Sequence, residues 1–353
     1  MKKWLFRILV LVFILLNVSA YLHARAMTNF KDGGERTPSP RNLSGLEKYK
    51  VLFTGIRVPK PVSNKTPESA GLTGRVETFP SLGGEVQLTG FLTEVPAAQA
   101  AVLLLHDYAS TRAQMYSEAK YFNDLGYSTF CLDFRASGES SGYRTTMGFR
   151  EADDVIAAHR RLNKLVPNLP TVIYGRSMGS VATLRAIAFS EITPTALILE
   201  APFDTFINSL KNRFNTMGVP AFPAAHVLAL WGGAQNRMNA LQFNPYNDAI
   251  SVQSPTMILI GSDDPYVKVE EAERVYNALP LDDTSPGNGK QMHVFPDFSR
   301  GSFLTEDPAK FKLLVGAFLD HHISGADKAP VDLNETRLRP GSGITPAPTP
   351  SAP

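Results

Sequence analysis

Hydrophobic positions along this chain change their spacing three times. From Trp4 to Leu22 they are almost continuous. Between Thr73 and His322 short apolar runs alternate with stretches in which apolar positions recur at helical spacing. That is how strands buried on both faces and amphipathic helices are written. Strands are predicted over 75–79, 85–92, 100–106, 128–134, 171–175, 195–201, 256–261 and 291–295, and helices over 112–126, 148–166, 180–190, 268–279 and 308–322. The first two strands flank Gly83-Gly84 and read as an antiparallel hairpin ahead of a parallel set. The fold class is therefore α/β, an eight-stranded, mostly parallel sheet flanked by helices. Residues from about 204 to 254 break the alternation with Phe, Pro and Gly, and are predicted to form a lid over the C-terminal edge of the sheet.

The two ends read differently from the middle. In residues 1–26, Lys2, Lys3 and Arg7 stand before the apolar run ILVLVFILLNVSAYL, the order of an export signal. Counted from Trp4 to Leu22 the run spans a bilayer of about 30 Å as a helix if Arg7 snorkels, which makes it a signal anchor. Val18-Ser19-Ala20 and Ala24-Arg25-Ala26 also fit a signal peptidase, so a cleaved signal peptide stays open. Either way the domain is expected outside the cytoplasm, at the membrane in the periplasm or on the cell surface if anchored, and secreted if cleaved. Residues 27–72 read as a stalk that partly wraps the domain, with a short helix near 43–53. Residues 73–323 form the domain itself, and 324–353, ending RPGSGITPAPTPSAP, read as a disordered Pro-rich tail.

Composition narrows the partners. Lys plus Arg number 35 against 33 Asp plus Glu, so no face is obliged to hold a phosphate backbone, and nucleic acid is not expected. The single cysteine, Cys131, sits in an apolar run; it excludes an intramolecular disulfide and reads as a core residue. No metal and no organic cofactor are expected.

The chemistry concentrates where the strand 171–175 meets Arg176, Ser177, Met178, Gly179 and Ser180. A strand turning at once into a helix forces the serine into strained backbone, and glycines two before and two after it remove side chains that would collide. The helix start behind it aims N–H groups at a developing oxyanion. Ser177 is thus a candidate nucleophile for acyl transfer. Three other segments follow in an ordered series: His106-Asp107-Tyr108 after the third strand, LDFRASGESSG after the fourth, and Gly261-Ser262-Asp263-Asp264 after the seventh.

Together these segments resemble the α/β-hydrolase superfamily over roughly 73–322, nearest the branch of serine aminopeptidases and monoacylglycerol lipases. The resemblance implies a serine hydrolase that cleaves an ester or amide through an acyl-enzyme, on a small acyl ester, lipid or peptide substrate. It implies backbone oxyanion donors at Tyr108 and Met178, and an orienting carboxylate at Asp264, with Asp263 its rival and Glu200 a lesser candidate for polar work near the site.

Two positions depart from the family pattern. Asp107 stands where a glycine is usual. In the loop PDFSRGSFL after the last strand, Arg300 stands where the histidine is expected, and a guanidinium stays protonated at neutral pH and cannot act as a general base. His293 is the candidate substitute. His23, His159, His226, His321 and His322 lie on elements read as remote, and His106 reads as a structural residue beside the oxyanion loop. The alternative to a hydrolase is therefore a catalytically impaired pseudoenzyme or ligand-binding module.

Overall fold

The computed structural model describes residues 2–38, 43–282 and 289–323; the Pro-rich tail lies outside the described residues. The chain opens with α1 (Lys2–Thr28) and α2 (Gly45–Thr54), followed by the hairpin β1 (Arg75–Pro80) and β2 (Gln87–Thr93). Then come β3 (Ala101–Leu105), α3 (Tyr116–Asp124), β4 (Ser128–Asp133), α4 (Glu151–Leu165), β5 (Thr171–Arg176), α5 (Met178–Ala188) and β6 (Ala196–Glu200). The region over the sheet edge contains α6 (Phe206–Thr216), α7 (Ala224–Asn236) and the short α8 (Pro245–Asp248). The chain closes with β7 (Thr256–Gly261), α9 (Val269–Ala278), β8 (Lys290–Phe295), α10 (Phe303–Glu306) and α11 (Pro308–Ile323).

The eight strands form one sheet in the order β1-β2-β4-β3-β5-β6-β7-β8. β2 pairs antiparallel with both β1 and β4, and every later pairing is parallel. Every residue of β3 to β7 is buried, while the edge strands β1 and β8 are mixed. This is why the central runs are continuously apolar: helices cover both faces, so neither side of the pleat meets water. One core joins alternate strand residues such as Leu103, Ile173 and Leu199 to α4 and α5. The other joins Leu104, Tyr174 and Ile198 to Phe122 of α3 and Phe311, Val315 and Phe318 of α11. Cys131 is buried in this second core.

α1 is 27 residues long and, by length and composition, sufficient to cross a membrane. Its N-terminal part is exposed on all sides, whereas Ala20, Ala24, Ala26 and Thr28 are buried against the domain. Past its end, Phe30 donates its N–H to the Tyr143 carbonyl and forms a small cluster with Val58 and Ala136.

α6 is fixed to the sheet edge through α9. Asn212 of α6 donates to Glu271 of α9 and to the Tyr266 carbonyl. Burial pushes the Glu271 carboxyl up to about 7, which the Asn212 hydrogen bond only partly offsets and nearby Asp204 reinforces. Unfolded, a glutamate titrates near 4.3. The folded state therefore carries a cost of ionising Glu271 that begins above about pH 4.3 and is complete above about pH 7. Glu271→Gln is expected to raise stability by about 2 kcal/mol at pH 8, with the gain vanishing at pH 4, as read by thermal unfolding at the two pH values.

Candidate active site

Between the last residue of β5 and the first of α5 the chain has one residue in which to reverse direction. Ser177 takes φ 49°, ψ −102°, a conformation that side chains other than glycine's rarely adopt. Its neighbours show why glycine is needed on each side. A Cβ on Gly175 would lie 2.7 Å from the Gly179 carbonyl carbon, and one on Gly179 would lie 2.6 Å from the Leu105 carbonyl oxygen. The strained turn is held by the Ser177 N–H donating to the Glu200 carbonyl at 2.8 Å. The Ser180 hydroxyl lies 2.7 Å from the Gly175 carbonyl oxygen and 2.8 Å from that of Glu200. Met178 is the first residue of α5, and its N–H has no intrahelical acceptor by position, so the positive end of the helix dipole faces the serine.

The Ser177 hydroxyl borders a cavity of about 40 Å³ also lined by Asp107, Asp264, Phe298 and Arg300. That is room for a few water-sized groups beside the serine oxygen. Asp264 follows β7 and is buried. Its Oδ1 accepts the N–H groups of Tyr266 at 2.7 Å and Val267 at 3.0 Å, and its Oδ2 lies 3.5 Å from Nη1 of Arg300. Burial raises its pKa, a shift that Arg300 and the two backbone donors oppose.

Arg300 occupies the place between serine and carboxylate. Its Nη2 donates to Ser177 Oγ at 3.2 Å and is ion-paired with Asp107 Oδ2. Burial disfavours its charge, but Asp107 and then Asp264 outweigh that, so its pKa rises. Asp107 moves the other way: burial pushes it up, and the Arg300 charge carries it below the ordinary carboxylate range. The two departures from the family pattern, 193 residues apart in sequence, are thus partners in space. The same Asp107 side chain also takes the N–H of Tyr108, at 2.6 Å from Oδ1. The amide that the resemblance assigns to an oxyanion is turned onto a carboxylate.

His293 is not brought to this group. Residues of a strand alternate faces, and His293 shares its face with Phe295, which belongs to the core beneath α11. Its Nε2 lies 3.3 Å from Gln291, and burial, with some help from Lys310, depresses its pKa to about 4. No histidine lines the cavity. His106 is fully buried; Nδ1 sits 2.6 Å from the Asp107 carbonyl and Nε2 accepts the Phe134 N–H at 3.1 Å, so both nitrogens of a neutral ring are used in holding the oxyanion loop. Asp263, the rival acid, does not line the cavity.

A buried charge cluster under the elbow was missing from the sequence reading apart from Glu200. Arg176 pairs with Glu200 and, at 2.8 Å, with Glu118 of α3; Tyr174 hydrogen-bonds Glu200 and Ser302 hydrogen-bonds Glu118. It links β5, β6, α3 and the start of α10, and so fixes the loop carrying Arg300 relative to Ser177. The only sequence signal for it was a charged residue, Arg176, between the glycine and serine of the elbow.

Residues 96–240 match the family model described as serine aminopeptidase, S33. Among curated relatives, the uncharacterized protein YqkD of Bacillus subtilis is 26% identical over 57% of this chain and 64% of its own length. The lysophosphatidylserine lipase ABHD12 of Mus musculus is 25% identical over 66% of this chain and 63% of its own. The chain thus spans less than two thirds of either relative. Among solved structures, an esterase of Pyrococcus furiosus, PF2001, superposes with a TM-score of 0.61 at 23% identity, covering 75% of this chain and 97% of the esterase. The sheet order and these likenesses give the chain the α/β-hydrolase fold, with residues 96–240 similar to the serine aminopeptidase family.

Proposed function

We propose that this chain is a membrane-tethered α/β-hydrolase-fold protein whose Ser177 cavity binds an acyl-type ligand, an ester, lipid or amide, with turnover suppressed by the Asp107–Arg300 pair. The observation that carries this reading is the position of Arg300, which donates to Ser177 Oγ where a base must accept. A guanidinium supplies only donors. It stabilises a serine oxygen but cannot remove its proton, and a positioned general base is worth about 10²–10⁴-fold. The diversion of the Tyr108 amide to Asp107 removes a second contribution, since an oxyanion donor is worth about 10²–10³-fold. The ligand class is supported by the names of the relatives, a lysophosphatidylserine lipase and an esterase. The tether is supported by α1, which under this reading acts as a signal anchor with the domain on the far side of the membrane.

A second reading, Ser177-dependent hydrolysis with Asp264 orienting a base, is favoured by one observation: the strained φ of Ser177, a conformation kept at about 1–3 kcal/mol.

Two experiments test these statements. With a fluorophosphonate probe on the full chain in detergent, wild type is expected to label slowly. The double variant Asp107→Gly/Arg300→His restores an imidazole between Ser177 and Asp264, and is expected to label at least about 100-fold faster, with all labelling lost on Ser177→Ala. Rapid Ser177-dependent labelling of wild type would overturn the proposal in favour of the second reading. For the ion pair itself, Arg300→Ala removes the cation bonded to both Asp107 and Asp264 and leaves only the more distant Arg213 charge, and is expected to cost about 2–3 kcal/mol. Adding Asp107→Gly is expected to recover about 1 kcal/mol or more of that loss, measured by denaturant unfolding of both single variants and the double variant.

A further inference from the structure

The helix α7, in the segment between β6 and β7, has a composition unusual for the surface of a protein surrounded by water. Its sequence, AAHVLALWGGAQN, contains no Asp, Glu, Lys or Arg. One face is buried on the domain through Ala225, Leu228 and Ala229. The opposite stripe, Val227, Leu230 and Ala234, is also apolar, and Leu230 is 54% exposed. A helix apolar all round is ordinarily enclosed by protein or by lipid, not by water.

Its neighbour decides between the two. α7 packs along α1: Trp231 Nε1 donates to Asn17 Oδ1 at 3.1 Å, Gln235 Nε2 donates to the Tyr21 carbonyl at 3.0 Å, and the Tyr21 and Trp231 rings meet edge to face at 5.3 Å. Asn17 lies five residues before Leu22, the end of the apolar run. At about 1.5 Å per residue, Trp231 therefore touches α1 about 7 Å inside that end. That depth falls within the about 5–10 Å at which interfacial helices bury their apolar face. The aromatic residues agree. Trp4 stands near the other end of α1, about 26 Å from Tyr21 along the axis, close to the thickness of a bilayer's hydrocarbon core, where Trp and Tyr collect at both interfaces.

We propose that α7 is seated in the interfacial layer of the bilayer that α1 crosses, its Val227–Leu230–Ala234 stripe facing lipid. This rests on the tethering part of the proposed function and adds to it a lid element held in the membrane surface. The site below is then presented to ligands that reside in the bilayer rather than to freely soluble ones.

The test uses the full chain in liposomes. Leu230→Cys is labelled with an environment-sensitive fluorophore; the native thiol, Cys131, is buried. Asp124→Cys on α3 serves as the surface control. The expected result is a blue-shifted Leu230 probe, quenched several-fold more by lipids spin-labelled near the headgroup than by aqueous iodide, with the Asp124 probe showing the reverse. A Leu230 probe quenched by iodide overturns the proposal. So does a blue shift that grows with protein-to-lipid ratio and resists lipid quenchers, since a second copy then covers the face. Flotation of the same vesicles separates the two readings: a chain that floats with an iodide-accessible Leu230 probe keeps the tether and loses the seated lid, whereas a chain that fails to float loses both.

Discussion

The site depends on the cation of Arg300, half-buried beside the serine. Arg300 is surrounded by Asp107, Asp264 and Ser177, and a buried guanidinium persists only where opposite charge and hydrogen bonds replace the water it has lost. Asp107 supplies the charge, and in doing so it fixes the backbone around it, because its other oxygen holds the Tyr108 N–H. The residues at positions 107 and 300 are therefore not independent of each other. A carboxylate in place of glycine and a guanidinium in place of imidazole satisfy each other, and each would be poorly accommodated in the site without its partner.

The elbow is a different kind of constraint, and it survives the exchange. Ser177 keeps its positive φ because Gly175 and Gly179 allow the backbone of β5, α5 and β3 to approach within distances that any Cβ would violate. Beneath it, the buried Arg176, Glu118 and Glu200 cluster ties four elements together. The turn that presents Ser177 is thus held by packing and by a buried charge cluster whose Arg176 and Glu200 also border the cavity. The identity of the residue at position 300 can change without dismantling it.

What was legible in the sequence follows from which forces act locally. The sheet and the elbow were legible because burial on both faces writes continuous apolar runs and a tight turn writes glycines, all within a few residues of each other. The place of Arg300 could be counted from the last strand. Its partnership with Asp107 could not, since nothing local links residues so far apart in sequence. His293 looked available because it is close to that loop in sequence, yet the alternation along β8 turns it with Phe295 toward the α11 side. Glu118 sits among polar residues of α3 with nothing local to single it out; only the fold shows it wholly buried against Arg176.

One residue connects α1 to the loop after β3. Tyr108 carries the diverted amide, and its phenol donates to the carbonyl of Met27 in the last turn of α1 at 2.7 Å, while its ring packs 5.8 Å from that of Phe30. The Arg213 guanidinium of α6 lies over the same ring at 5.5 Å and over that of Tyr266, beside Asp264, at 5.0 Å. A shift of α1 along its axis therefore acts on the oxyanion loop through a single hydrogen bond, and a shift of α6 acts on both Tyr108 and the Asp264 turn through stacked rings. Since α7 follows α6 and packs on α1, the apolar helix α1, the segment α6–α7 and the loops carrying Tyr108 and Asp264 form a closed circuit of contacts. The packing of α1 against the domain is thereby part of the geometry of the Ser177 site.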